Sequence, residues 1–252
     1  MSTNGLLQHR WFIPFAACIG IMVGLPSVLV LSFAVFLKPV STALGWTRGE
    51  MSSAPLVTIW ITLLAQPLLG QLVDRFGFRR VMLPAFVLFA VAMACLSLMG
   101  PQLWVFILLY GTASFFGASS GPVAYSKCVA LWFDENRGLA LGVATAGAGF
   151  GTVVMPLLAE YFIQHAGWRF AYFALAAISG VVGCLIVALF IREPPGYRAA
   201  GPRSLPAATG VTAREAARRS WRFWTLGVIF LLGGIAINGA LAHSVALLTD
   251  RG

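Results

Sequence analysis

The chain has 252 residues, 59% of them hydrophobic and only 10% charged, where a soluble domain carries about 25% charged residues; with a mean hydropathy of +0.87 this excludes a soluble globular protein. A formal net charge of +9 would suit nucleic acid, but the basic residues lie between apolar runs and not on one soluble face, so they read as orientation signals of a membrane protein and nucleic acid is excluded as a partner. The cysteines, Cys18, Cys95, Cys128 and Cys184, stand singly inside apolar stretches with no C-x-x-C spacing, so no disulfide, metal or cofactor is expected.

A span needs about 20 predominantly apolar residues, and seven stretches qualify: Trp11 to Leu37, Ala54 to Leu72, Val81 to Met99, Leu103 to Val129, Gly138 to Phe162, Phe170 to Ile191 and Phe223 to Leu248. The first run follows Arg10, is too long for a signal-peptide core and has no small-residue cleavage site after it. The amino terminus is therefore expected to stay cytoplasmic. Lys38-Pro39 closes this run, and Thr47 and Glu50 then have the T-x-x-E spacing of a helix cap. Trp46 beside Gly45 and Arg48 suits a membrane interface, and the Gly-Trp-Arg grouping recurs at Gly167-Trp168-Arg169 after the fifth span.

Between the second and third spans the stretch Gly70-Gln71-Leu72-Val73-Asp74-Arg75-Phe76-Gly77-Phe78-Arg79-Arg80 packs an acid, three arginines and two glycines into a short break. It is expected to be a loop at the cytoplasmic face, because short loops rich in Arg stay inside. Its glycines permit a sharp turn and close approach of two helix ends. With this loop inside, twelve basic residues fall on the cytoplasmic side (Arg10, Arg75, Arg79, Arg80, Arg137 and those from Arg192 to Arg222), and four fall outside (Lys38, Arg48, Arg169, Arg251).

Lys127 is the one lysine or arginine inside a span. A charge at mid-span costs roughly 2.5 to 3.5 kcal/mol on insertion scales, so it either faces a cavity or snorkels to the inner surface. Counting back by threes and fours from it gives Ala124, Ser120, Gly117, Ala113 and Tyr110, a stripe of small and polar residues that would line a groove, with Gly121-Pro122 able to bend the helix beside it. In a cavity, Lys127 would suit a carboxylate. The fifth span carries two small-xxx-small pairs, Gly138 with Gly142 and Gly147 with Gly151, which let helix backbones approach in lipid.

From Arg192 to Arg222 the composition turns to Pro, Ala, Gly, Ser and Arg, which reads as a cytoplasmic linker. Its later part, from the cap at Thr212 and Glu215, reads as a short basic helix at a lipid surface or a solvated linker. In the seventh span, Asn238 and His243 are the polar intruders; His243 is either a proton-coupling group or an interface residue. Gly117-Ala118-Ser119-Ser120-Gly121 matches the G-x-S-x-G elbow of serine hydrolases, but lies mid-helix without the required strand, His or acid. No enzyme is expected.

The pattern from Gly70 to Arg80 resembles the signature loop between the second and third helices of major facilitator superfamily transporters. Within that superfamily the chain looks most like the branch of monocarboxylate porters and oxalate/formate antiporters. The residues behind this are Ser32 to Pro39 leading to Gly45-Trp46-Thr47-Arg48, Trp132-Phe133 through Arg137 to Gly142, and Gly167-Trp168-Arg169. It departs from that branch in reducing the acidic-Gly-Gly-Trp lead-in to Trp11 and in having no charge from Gly24 to Leu37.

The resemblance implies an all-α membrane protein, with a six-helix amino-terminal bundle of the major facilitator fold at 1–191, a linker at 192–222 and the first helix of a second bundle at 223–252. On that reading the chain looks like one half of a twelve-helix carrier, a missing carboxy-terminal half is expected, and the chain alone should not transport. The function implied is secondary transport of a small organic anion by alternating access, with a co-transported proton as a further partner, in a bacterial inner membrane. The turn residues Gly70, Asp74, Arg75, Gly77, Arg79 and Arg80 would gate it, and Lys127, Tyr110, Ser120, Asn238 and His243 would be candidate substrate contacts. Efflux of drugs or metabolites by the same fold, and a seven-helix sensor, are the alternatives.

Overall fold

In a computed structural model the described residues are 3–192, 220, 221, 223–229, 232 and 233, with side chains from Arg10 onward. Every regular element among them is helical, and the fold is that of an all-α membrane protein. The chain divides into two compact units, Met1–Gly201 and Pro202–Gly252. In the second, residues 223–229 are helical and exposed.

The first unit opens with α1 (Thr3–Met22), a π-helical turn (Pro26–Leu31) and α2 (Phe33–Leu44). The first apolar run is thus not one continuous helix. Pro26 has no N–H to donate and its ring collides with an ordinary preceding turn, so the chain widens there and leaves backbone groups near Gly24 to find other partners. Lys38 and Pro39, expected to close the run, are helical instead. The stop comes at Gly45, which is left-handed (φ 71°), with the Trp46 N–H donating to Ser41 O at 3.0 Å, a Schellman-type ending.

Thr47 then caps α3 (Arg48–Met51). The Thr47 N–H donates to Glu50 Oε2 at 2.7 Å and the Glu50 N–H to Thr47 Oγ1 at 3.2 Å, the reciprocal pair that the spacing predicts. The later helices are α4 (Ser53–Phe76), α5 (Phe78–Ser97), α6 (Leu103–Gly117), a 3-10 turn (Ala118–Ser120), α7 (Pro122–Trp132) and α8 (Arg137–Leu189). Helices α6 and α7 are the two parts of the fourth span.

The expected loop from Gly70 to Arg80 is a correction to the sequence reading. Helix α4 runs on through Asp74 and Arg75 to Phe76, and α5 starts at Phe78, so Gly77 alone makes the turn. Its backbone (φ 90°, ψ 160°) lies in a region that essentially only glycine occupies. Gly167 does the same inside α8, with φ 84° and ψ 167°, and so divides α8 into the fifth and sixth spans. Each glycine is followed by an aromatic residue and an arginine, Phe78-Arg79 and Trp168-Arg169. One tripeptide pattern therefore makes a one-residue helix reversal at both places.

The first span is the centre of the unit. Ala17, Ile21, Val23, Leu25, Val28 and Leu29 are all buried, whereas Trp60, Leu63 and Leu64 of α4 are exposed, as suits a lipid-facing surface. Without a hydrophobic drive between helices in lipid, such a centre is held by close backbone approach and hydrogen bonds. Gly147 and Gly151 of α8 supply the approach: a Cβ at Gly147 would collide with the Cys18 carbonyl, and one at Gly151 with the Ser27 hydroxyl and Met22 O.

Candidate functional site

The break in the first span meets the break in the fourth. Between α6 and α7 the chain passes through the 3-10 turn and then extends at Gly121 (φ −74°, ψ 165°) before Pro122 restarts the helix. The Leu25 N–H, freed by the break at Pro26, donates to Ser120 Oγ at 2.8 Å, and the Ser120 hydroxyl donates to Gly117 O at 2.6 Å. Carbonyls freed in the first span are also taken up. Ser179 Oγ donates to Val23 O at 2.7 Å, Tyr110 OH to Leu29 O at 2.7 Å, and Ser32 Oγ to Ser27 O at 3.0 Å. In hydrocarbon an unsatisfied backbone group costs several kcal/mol, so these hydroxyls are what allows a span to be broken at its middle.

Chemically the cluster is neutral: hydroxyls and backbone groups at mid-membrane, gathered where two helices are interrupted. Ser27 Oγ is buried without a hydrogen-bond partner, a spare polar atom beside Gly151. Tyr110 and Ser120 are 1% exposed, and with Ala113 and Gly117 they pack against other spans and not on an open groove. The stripe read back from Lys127 is thus an inter-helix face over most of its length, and only Ala124 and Lys127 emerge from it.

Lys127 itself is exposed and donates from Nζ to Asp74 Oδ1; the two side chains are 43% and 47% exposed. The structure therefore brings together two residues singled out separately, one as a substrate contact and one in the gating turn. Beside the pair, a cavity of about 50 Å³ between α4 and α7 is lined by Gln66, Gly70, Val73, Ser119, Ala124 and Lys127, large enough for water. Arg75 lies over the Phe76 ring at 5.2 Å, and Arg79 and Arg80 are exposed in the first turn of α5. A helix amino terminus disfavours cations, so these arginines do not serve the helix they begin. At the same end, Trp132 Nε1 donates to Arg192 O at 2.8 Å, tying α7 to the end of α8.

Of the glycine pairs, Gly147 and Gly151 face the first span, whereas no atom lies within 4 Å of where a Cβ would stand at Gly138 or Gly142. Asn238 and His243 lie outside the described residues. The sequence reading gave no site role to Ser27, Ser32 or Ser179. Their signal was Gly24-Leu25-Pro26 at the middle of the first apolar run, since a proline there must free backbone groups that something polar has to meet.

The sequence family described as Major Facilitator Superfamily matches residues 10–252. The chain is 27% identical over 205 residues to the MFS-type transporter hasB of Aspergillus fumigatus, covering 77% of this chain and 43% of that protein. It is 28% identical over 250 residues to the oxalate:formate antiporter of Oxalobacter formigenes, covering 96% of this chain and 56% of that one. It is 27% identical over 166 residues to the human monocarboxylate transporter 14, covering 64% and 32%. The chain thus spans between about a third and just over half of these relatives' lengths.

Proposed function

Because the chain belongs to the Major Facilitator Superfamily, we propose that the protein is a secondary carrier of a small organic anion of monocarboxylate type, working by alternating access. The observation that carries the anion reading is the similarity along 96% of this chain to a protein named an oxalate:formate antiporter. The interrupted first and fourth spans agree with a carrier, because membrane carriers build their sites from interrupted helices near the bilayer midplane.

In this reading Lys127 is the anion's counter-charge. With Asp74 on it the lysine is neutralised, and a substrate carboxylate reaches it by taking Asp74's place as the turn at Gly77 shifts. Gly70, Asp74, Arg75, Gly77, Arg79 and Arg80 are then the gate, at the inner face by their positive charge. Ser120 and Tyr110 set the bend of the helices around the path, and Asn238 and His243 are candidates on a seventh span, His243 for a coupled proton.

The test is uptake of labelled formate, oxalate and lactate into vesicles carrying this chain together with a separately expressed piece bearing the expected second half, preloaded with unlabelled carboxylate. Saturable carboxylate uptake is expected. Uptake of sugars or amines with none of carboxylates would overturn the anion reading.

A further inference from the structure

We propose that the groove between α5 and the part of α8 after Gly167 is a phospholipid site, taking one acyl chain in the groove and the lipid phosphate on Arg169. The groove has a volume of about 480 Å³, and its walls include Val87, Val91, Ala94, Phe173, Gly180 and Cys184. The two helices run antiparallel along it. Arg169 Nη1 donates to Ser97 O at 3.1 Å at one end, and Gly180 faces Ala90 further down. Val87, Val91, Phe173 and Val181 are exposed along its rim. Both helices are apolar enough to cross a membrane, so what the groove meets is the bilayer.

Depth and charge select the occupant. From Phe173 to Cys184 the groove descends roughly 16 Å at about 1.5 Å per residue, close to one leaflet of a hydrocarbon core about 30 Å thick. Arg169 does not line the groove but lies one helical turn beyond Phe173, past its Ala94 end. The guanidinium is stacked 4.5 Å over the Trp168 ring, a residue type that marks the headgroup level. Ser97 O takes one of its five N–H donors, and no carboxylate pairs with it among the described residues. A fixed planar cation with donors to spare suits a phosphate, at the headgroup end of a slot one leaflet deep. The chemistry asks for an anionic head on an apolar tail, which is a glycerophospholipid of the leaflet at the Trp168 end.

The experiment places the full chain in phosphatidylglycerol vesicles containing a trace of phosphatidylglycerol with a photoactivatable diazirine in mid-chain. Labelled residues are then mapped by mass spectrometry. Labelling of α5 and α8 along the groove is expected to exceed that of the exposed α4 face at Trp60, Leu63 and Leu64 by roughly tenfold, the worth of a charge-assisted hydrogen bond. Arg169→Gln should remove most of that excess, and a diazirine-bearing diacylglycerol without phosphate should show little of it. Ala177→Phe, which fills the exposed groove and leaves Arg169 and Ser97 in place, should abolish it even if the Arg169 variant proves unstable. Equal labelling of the groove and the α4 face, equal labelling by the diacylglycerol, or a groove signal untouched by Ala177→Phe would each overturn the proposal.

Discussion

The backbone N–H of Leu25 donates to Ser120 Oγ at 2.8 Å, so that the interruption of the first span is closed by the interruption of the fourth. Neither break is stable alone. The break in the helix before Pro26 leaves the Leu25 N–H without a helical acceptor, and the 3-10 turn at Ala118–Ser120 presents a hydroxyl at that point. Each sequence irregularity is the other's partner, and the first span is fixed at the centre of the bundle by it.

Ser120→Ala should therefore orphan a buried N–H and destabilise the protein by about 1 to 3 kcal/mol. Thermal unfolding in detergent measures this. An Ala variant as stable as wild type would show that Leu25 finds another acceptor.

The two glycine pairs of α8 should behave oppositely. Gly147→Ala drives a methyl into the Cys18 backbone, which cannot yield as a flexible side chain would, at a cost of about 1 to 3 kcal/mol. Gly142→Ala meets nothing within 4 Å and should gain up to about 1 kcal/mol of helix propensity. Melting temperatures of the two variants, compared in one detergent, decide it; loss at Gly142 would mean that a partner covers that face.

How much of the fold and the site was legible in the sequence depends on the range of each signal. The first six spans were legible because apolar length in a bilayer has one solution, and the cap at Thr47 because its two partners are three residues apart. Residue spacing alone could not separate Gly138 from Gly147, since both pairs have the same spacing and only the neighbour differs. The Gly70 to Arg80 stretch looked like a loop because its charges break the apolar run, yet a helix end in the headgroup region carries charge without unwinding. The pairing of Lys127 with Asp74 was hidden for a different reason: the residues are 53 apart in the chain, and each alone had a complete explanation.

That ion pair yields a prediction that separates charge from stability. Because both side chains are about half exposed, breaking the pair should cost no more than about 1 kcal/mol. On the proposed anion role, Lys127→Ala should abolish carboxylate uptake while Asp74→Asn, which frees the lysine, should retain it or lower the apparent KM. The exchanged pair Lys127→Asp with Asp74→Lys should regain stability but not transport. Equal loss of uptake in both single variants, with rescue by the exchange, would make the pair structural only.

The last expectation concerns the one-residue reversals. Gly77 and Gly167 hold nearly the same backbone, φ 90° and ψ 160° against φ 84° and ψ 167°, and a Cβ at Gly167 would meet no atom within 4 Å. Any cost of substitution there is thus conformational and not steric with neighbours. Gly167→Ala should destabilise by about 1 to 3 kcal/mol, and a bulkier Gly167→Ser by a similar amount, since strain in φ and ψ is set by the presence of a Cβ and hardly by the atoms attached to it. Gly77→Ala should carry the same strain and in addition slow transport, because this turn joins the helix bearing Asp74 to the next and is proposed to shift when Asp74 leaves Lys127. Unfolding temperatures and carboxylate uptake measured on the same preparations test both parts. A stability loss at Gly77 with uptake unchanged per folded molecule would leave the turn as a fixed corner and remove it from the gate.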